Sequence, residues 1–350
     1  MQFYQKLWEI KMLNKFCLGV ICVIFPMCAN ALSYSSGKFN FGLTGYGTIG
    51  IIEPKFDKVP KMVGDFRLRT QATYDANNNH TFGAVYMVDE IATEEDKWWH
   101  EAFGFWQWRG VGRVEIGLTD SVAHKLGLGL PDVGGLRINH DSLIYKKMGT
   151  PGPVISDPTI TTGSESLRAN IVAAHNSNLQ YGVSFSGLTG DYDYEIDVGI
   201  KIKNSSAKTK FALSVGASYM NHPDGFSTDT FTPLVTADWR GQIYTGLNIQ
   251  YNSLVLGLTG RVIYDENPIG TPVDGFVAGV GASYDILNYT LSLSYLFSDT
   301  GLWHDDADVT RDHTTVASFR YKYSQNVDGW MSLGISRTWP FLAAGIRIVF

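Results

Sequence analysis

The chain is short of several features that mark soluble secreted proteins and helical membrane proteins. Its three cysteines, Cys17, Cys22 and Cys28, all lie near the amino terminus, so the sequence from Leu32 onward has none. Exported proteins normally have access to disulfides, so their absence predicts another source of stability. After residue 31 no apolar run is long enough for a membrane-spanning helix.

Positive charge is also scarce. Of 28 Lys and Arg and 34 Asp and Glu, three basic residues and one acidic residue precede residue 32, which leaves 25 against 33. A protein that binds phosphate backbones needs a basic surface, so this balance argues against a nucleic-acid partner. The 37 glycines and frequent aromatic residues, together with a mean hydropathy of -0.05, are typical of short strands around a wet interior.

The first 31 residues have the organisation of a cleavable export signal. Lysines flank Met12, an apolar run spans Phe16–Phe25, and Ala29-Asn30-Ala31 forms a small-x-small cleavage site. We therefore predict residues 1–31 as a signal peptide and residues 32–350 as one mature domain. A retained membrane anchor is the alternative, and whether translation starts at the first methionine or at Met12 is left open.

From residue 38 to the end, apolar and polar residues alternate with the period of two that a β-strand requires. In Met62–Tyr74, Leu68 and its apolar neighbours alternate with Arg67 and Arg69. We count 16 candidate strands: Lys38–Ile51, Met62–Tyr74, Thr81–Asp89, His100–Arg109, Arg113–Thr119, Ser166–Ala174, Leu179–Gly187, Tyr192–Lys201, Lys210–Met220, Gln242–Tyr251, Leu254–Tyr264, Gly275–Tyr284, Tyr289–Ser298, His313–Tyr323, Trp330–Arg337 and Phe341–Phe350.

Short and long connections alternate between these strands. Tight turns such as Asn77–Asn79 and Asn252-Ser253 are rich in residues that tolerate positive φ, whereas the other connections are longer. In hydrocarbon an open sheet edge leaves backbone groups unpaired, so the first and last strands must pair. The pattern predicts an all-β fold: a transmembrane antiparallel β-barrel of about 16 strands, wide enough for an aqueous lumen. The longest connection, Asp120–Glu165, is predicted to be irregular and functional.

The whole mature chain resembles the general porins of Gram-negative bacteria. The resemblance depends on Tyr34–Ile51 as opening strand, on Glu101-Ala102-Phe103, on Gly112–Asp120 before the long loop, and on the terminal Phe350. It implies a homotrimer in the outer membrane lipid, a third loop folded into the lumen, and passive passage of ions and small hydrophilic solutes. A passive channel performs no chemistry, so we expect no catalytic residue and no cofactor, and the eight histidines show no zinc spacing.

The resemblance also implies a constriction where basic residues of the wall face acidic residues of the third loop. The alternation places Arg67, Arg69 and Arg168 on the lumen side, where a charge costs less than the roughly 2–4 kcal/mol it costs on the lipid side at mid-membrane. The candidate acidic residues of the loop are Asp120, Asp132, Asp141 and Asp157. The loop also holds Lys125, Arg137, Lys146 and Lys147, so ion preference stays open, and all seven candidates can instead be ordinary wetted residues.

Aromatic residues near strand ends are predicted to form girdles at the two membrane interfaces. The residues in question are Tyr251, Tyr264, Tyr284, Tyr289, Tyr323, Trp330, Trp339 and Phe341. Packing between neighbouring barrels is the alternative account of these rings.

Other functions remain as alternatives. A substrate-specific channel, for a sugar for example, needs a row of lumen aromatics, and Tyr46, Phe103 and Phe105 form only part of one. A barrel enzyme such as a lipase needs a Ser–His pair that the sequence does not offer, and a structural barrel needs fewer strands. Gly45–Gly50 matches a dinucleotide-binding pattern without the helix that must follow it. His304–Asp308 can be a Ca²⁺ loop or a solvated one.

Overall fold

The computed structural model describes residues 32–54, 60–91, 98–131, 167–175, 178–187, 194–221, 239–266, 273–300, 311–336 and 339–350. Within these ranges the chain forms seventeen strands and one short helix. The strands are β1 (Leu32–Ser36), β2 (Phe39–Pro54), β3 (Lys61–Asp75), β4 (His80–Ile91), β5 (Trp98–Trp108), β6 (Gly112–Leu118), β7 (Leu167–His175), β8 (Leu179–Ser186), β9 (Tyr194–Ser205), β10 (Thr209–Asn221), β11 (Trp239–Tyr251), β12 (Leu254–Glu266), β13 (Val273–Ile286), β14 (Tyr289–Thr300), β15 (Arg311–Lys322), β16 (Val327–Ser336) and β17 (Trp339–Val349). The helix, α1, spans Val122–Leu126.

Strands β2 to β17 form one closed antiparallel barrel. Each strand pairs with its neighbours in sequence, and β17 pairs back onto β2, with Ile346 opposite Ile49. Sixteen strands therefore close the wall without an edge, which confirms the predicted barrel and satisfies the backbone groups that hydrocarbon cannot solvate. Each predicted strand corresponds to one of these sixteen.

Strand β1 was not predicted as a separate strand: the alternation placed the start of the first strand at Lys38, and the resemblance included Tyr34 in one opening strand to Ile51. It pairs with the first part of β2, from Leu32 opposite Leu43 to Ser36 opposite Phe39. Strand β17 covers the rest of β2, and Phe350 exchanges two backbone hydrogen bonds of 2.8 and 2.9 Å with Gly45. Strands β1 and β17 thus lie end to end beside β2. Residues Leu32–Ser36 are exposed throughout, so neither face of β1 is buried.

The two faces of the wall have opposite polarity, and the apolar face points outward. On β9, Ile196, Val198 and Ile200 are exposed by 42, 46 and 48%, whereas Glu195 and Asp197, at the alternate positions, are buried. A soluble sheet would bury the apolar set and expose the carboxylates. The inverted arrangement is typical of a barrel whose outer surface meets lipid and whose inner surface is polar.

Most of the predicted girdle residues point outward. Tyr251, Tyr264, Tyr284, Tyr289 and Tyr323 are exposed. The prediction is wrong for Trp330 and Phe341, which are buried on the lumen side. Trp330 has the same parity on β16 as the buried Ser332, and Phe341 on β17 lies opposite Gly334, which shares that parity. The Trp330 ring fills the space above two glycines of the wall, Gly50 and Gly345. The side chain of Trp339 lies outside the described residues.

The third loop begins with a helix inside the barrel. Helix α1 lies within the stretch predicted as irregular, Asp120–Glu165, and packs against β7, β8, β9 and β10. Its five residues are too few to produce a recognisable helical period, which is why the sequence did not reveal it. Ser121 caps its first turn by accepting a hydrogen bond of 3.1 Å from the His124 backbone N–H. Within the described residues, no helix combines the length and the apolar character that a membrane span requires.

Candidate pore constriction

The start of the third loop runs along the inner wall over lumen-facing glycines. A Cβ atom added at Gly246 would lie 2.6 Å from the Leu128 carbonyl oxygen, and one at Gly257 would lie 2.4 Å from Cδ of Pro131. At Gly199 the nearest atom is the Val122 carbonyl oxygen, at 3.2 Å. A side chain at any of these positions would hold the loop away from the wall, so the glycines define a track for residues 122–131.

Helix α1 is attached to the wall through its backbone. The Ala123 N–H donates to Asp197 Oδ1 at 2.7 Å, and the Val122 N–H donates to Ser184 Oγ at 3.2 Å. The Tyr244 hydroxyl donates to the Ala123 carbonyl oxygen at 2.7 Å. Because the first N–H groups of a helix have no partner within it, these wall groups satisfy donors that would otherwise be buried without an acceptor.

A cluster of charges lies beside the loop on β6. Glu115 forms ion pairs with Arg113, whose Nε lies 2.9 Å from Oε1, and with Lys125 of α1, and it accepts a hydrogen bond from Asn170 at 3.1 Å. The Arg113 guanidinium lies 3.6 Å from the centroid of the Phe105 ring, a cation–π contact that fixes its direction. One carboxylate therefore holds two cations at defined positions on the lumen side.

A second group of charges surrounds Asp120 at the beginning of the loop. The backbone N–H of Asp120 donates to Glu101 Oε1 at 3.4 Å, and His124 Nε2 lies 3.7 Å from Asp120 Oδ2. Arg67 on β3 lies within electrostatic reach of Asp120. The structure thus brings one predicted wall cation and one predicted loop acid to the same region of the lumen.

The predicted cations differ in their surroundings. Arg67 and Arg69 are half-buried on the lumen side; Arg67 Cζ lies 5.7 Å from the Tyr46 ring, and Arg69 donates to Gln71 at 3.2 Å. Arg168 is only 1% exposed and pairs with Glu195 at 2.7 Å, so its charge does not face open lumen. Asp132, Asp141 and Asp157 lie outside the described residues.

Sequence reasoning missed several charged residues that take part in the site. They are Glu101, Arg113, Glu115 and Asp197, all on lumen-facing strand positions. Strand parity could have placed them on the lumen side, but not beside the loop, because the path of the loop depends on contacts far apart in sequence. Phe103 and Phe105, two members of the proposed aromatic row, are buried beneath Arg113 and do not form an open track.

The remaining motifs give no second site. Gly45–Gly50 lies within strand β2, which explains its glycines without a nucleotide. His304–Asp308 lies outside the described residues. Among the residues that the structure describes, no group of His, Cys, Asp and Glu is arranged to hold a metal ion.

Comparison with solved structures gives the same fold at low identity. A porin refined at 1.8 Å has a TM-score of 0.64 and 12% identity over 89% of this chain and 100% of that chain. In-vitro folded OmpT of Vibrio cholerae, in its trimer form, has a TM-score of 0.65 and 10% identity over 90% and 100%. A triple mutant of the Rhodopseudomonas blastica porin has a TM-score of 0.54 and 13% identity over 89% and 100%.

The family comparison is more direct. Comparison with curated proteins gives no match. The family model described as Gram-negative porin matches residues 20–331, which is most of the chain. Family and fold both indicate an outer-membrane channel rather than an enzyme. With its closed sixteen-strand barrel and a third loop attached inside the lumen, this chain belongs to the Gram-negative porin family.

Proposed function

We propose that the chain forms a water-filled channel for passive diffusion of ions and small hydrophilic solutes across the outer membrane. The observation that carries this proposal is the polarity of the barrel: sixteen strands with apolar residues outward and polar or charged residues inward. A barrel of this strand number encloses an aqueous lumen, whereas an eight-stranded one is filled by its own side chains.

Selectivity in this proposal comes from charges on the two sides of the constriction. Arg67, Arg69 and Arg113 line one region of the wall, and Glu101 and Asp120 lie close to them. Opposed charges across a narrow passage create a transverse field that orients water and polar solutes and sets ion preference. Asp132, Asp141 and Asp157 remain candidates for the loop side. Arg168 is 1% exposed, so it is not one of the charges that line this passage.

We propose that the protein assembles as a homotrimer in outer-membrane lipid. We also propose that it is exported with a signal peptide that is removed after residue 31. The trimer is supported by the similarity to OmpT of Vibrio cholerae, for which a trimer form is known. The signal peptide is supported by the sequence pattern of residues 1–31. A substrate-specific channel is the less favoured alternative, because Phe103 and Phe105 are covered by Arg113 and Lys125.

The test is reconstitution of the refolded, heat-modifiable protein in planar bilayers and in liposomes. Single-channel steps, commonly in groups of three, are expected, together with liposome swelling that declines smoothly as the test sugar becomes larger. A folded barrel that does not conduct would refute the channel. Swelling that saturates with one sugar, or conductance that one sugar blocks, would favour the substrate-specific alternative instead.

A further inference from the structure

The inner wall holds a buried carboxylate whose partners reach the third loop. Asp197 on β9 is 1% exposed and accepts hydrogen bonds from the Ala123 N–H of α1 and from the Ser184 hydroxyl on β8. Arg168 Nη1 on β7 lies 3.5 Å from Asp197 Oδ2. One carboxylate thus connects two neighbouring strands and the backbone of the loop.

The buried charges around Asp197 receive part of their hydrogen bonding from the loop. Arg168 also pairs with Glu195, so one guanidinium serves two buried carboxylates. Backbone N–H groups of α1 supply further donors, directly to Asp197 and through Ser184. A buried carboxylate is costly without full hydrogen bonding, so displacing the loop would leave Asp197 poorly satisfied.

A fourth wall group holds the same turn from the other side. The Tyr244 ring lies across Gly216, where a Cβ atom would come within 2.0 Å of the ring, and its hydroxyl donates to the Ala123 carbonyl oxygen. Ala123 therefore has both backbone groups bonded to the wall, through its N–H to β9 and through its C=O to β11. We name Arg168, Ser184, Asp197 and Tyr244 the loop anchor.

We propose that Asp197 is the positioning residue that fixes the third loop against the wall and thereby sets the cross-section of the pore, with Arg168 holding Asp197 in place. This inference depends on the proposed function, because it assumes that current passes beside the loop. In this proposal Arg168 supports Asp197 behind the loop and does not lie on the surface of the pore.

The first test compares Asp197→Ala with Asp197→Asn in planar bilayers. The alanine variant removes the acceptor of the Ala123 N–H, which should raise the ratio of displaced to attached loop by roughly 5-fold to 150-fold. Larger mean conductance and more open-channel noise are expected. The asparagine variant keeps an oxygen for that N–H and should remain near the parent in both measures.

The matched control is Asp328→Ala. Asp328 is another buried lumen carboxylate with an arginine partner, Arg347 at 2.8 Å, on β16 and β17. Removing it eliminates the same charge and a comparable ion pair but leaves the loop anchor intact. If Asp328→Ala raises noise as much as Asp197→Ala does, loss of any wall carboxylate explains the effect and the proposal fails.

A cross-link in the otherwise unchanged protein tests the same idea and does not depend on whether Asp197→Ala folds. A Cβ atom at Gly281 would lie 3.4 Å from Cβ of Leu130, close to the Cβ–Cβ spacing of a disulfide, so Leu130→Cys with Gly281→Cys can join loop and wall in a mature chain that has no other cysteine. Oxidation should leave the conductance of the otherwise unchanged protein as it was. It should also restore Asp197→Ala to the parent conductance, and reduction should reverse this.

The outcomes separate the two proposals. Absence of conductance in the parent protein refutes the channel. A conducting parent with an Asp197→Ala variant of equal conductance and noise refutes the positioning role. An oxidised cross-link that changes the conductance of the parent refutes the docked position of the loop and overturns the positioning role as well.

Discussion

Replacing both Arg67 and Arg69 with glutamine removes two positive charges from one stretch of the lumen face of β3. An ion that passes about 7 Å from one guanidinium in water interacts with it by about 0.6 kcal/mol, and screening at 0.1 M salt reduces this to about 0.3 kcal/mol. Removing both guanidinium charges therefore lowers the energy barrier for a permeating cation by about 0.6 kcal/mol and raises the barrier for an anion by the same amount. The cation-to-anion permeability ratio should therefore rise roughly 7-fold.

The assay is the reversal potential across a planar bilayer under a salt gradient. In about 1 M salt the Debye length falls to roughly 3 Å, so the same substitution should change the ratio only about 1.5-fold. The matched control is Lys208→Gln with Lys210→Gln, which removes two exposed positive charges, one in the tight turn before β10 and one at the start of β10. An unchanged reversal potential at low salt, or an equal shift from the control pair, would show that Arg67 and Arg69 do not line the narrow passage.

Three further substitutions test the track, the anchor and the lipid face. Gly257→Ala should displace Pro131, change the conductance and lower stability by about 1–3 kcal/mol. The control is Gly260→Ala on the same strand, where the nearest atom to the new Cβ would be 3.8 Å away. It should change neither the conductance in bilayer recordings nor the midpoint of thermal melts. Tyr244→Phe should remove one buried hydrogen bond, lower stability by about 0.5–1.5 kcal/mol and increase open-channel noise; unchanged noise would show that this bond does not hold the loop. Leu258→Arg puts a charge on an outward position and should lower stability by about 2–4 kcal/mol in refolding titrations into lipid. A denaturant midpoint equal to that of the wild type would contradict the assignment of this face to lipid.

The barrel could be predicted from the sequence because each spanning strand meets two different solvents. Lipid outside and water inside select opposite side chains, so the alternation around Arg67 and Arg69 on β3 is visible without any structure. Strand β1 faces no such selection, since all five of its residues are exposed, and the sequence did not separate it from the strand that follows. Helix α1 is one turn long, and its position depends on β8, β9 and β11 rather than on its own sequence.

The candidate site was predictable only in part, for a related reason. Parity identifies which charges face the lumen, but it does not distinguish Arg69, which is half-buried, from Arg168, which is covered. The distinguishing signal was present in the glycines at lumen positions, such as Gly199 and Gly257. A lumen position without a side chain indicates that another part of the chain occupies the space.

The pairing of β17 with β2, which closes the barrel, has a consequence for biogenesis. Pairing of Gly45 with Phe350 joins residues separated by almost the entire polypeptide, and such distant contacts form late because a very large loop must close first. Until they meet, β2 and β17 each present a row of unpaired backbone groups that other chains can bind. We therefore expect every partly synthesised or truncated form to need a chaperone on its way to the membrane, and the cylinder to seal in a single final step.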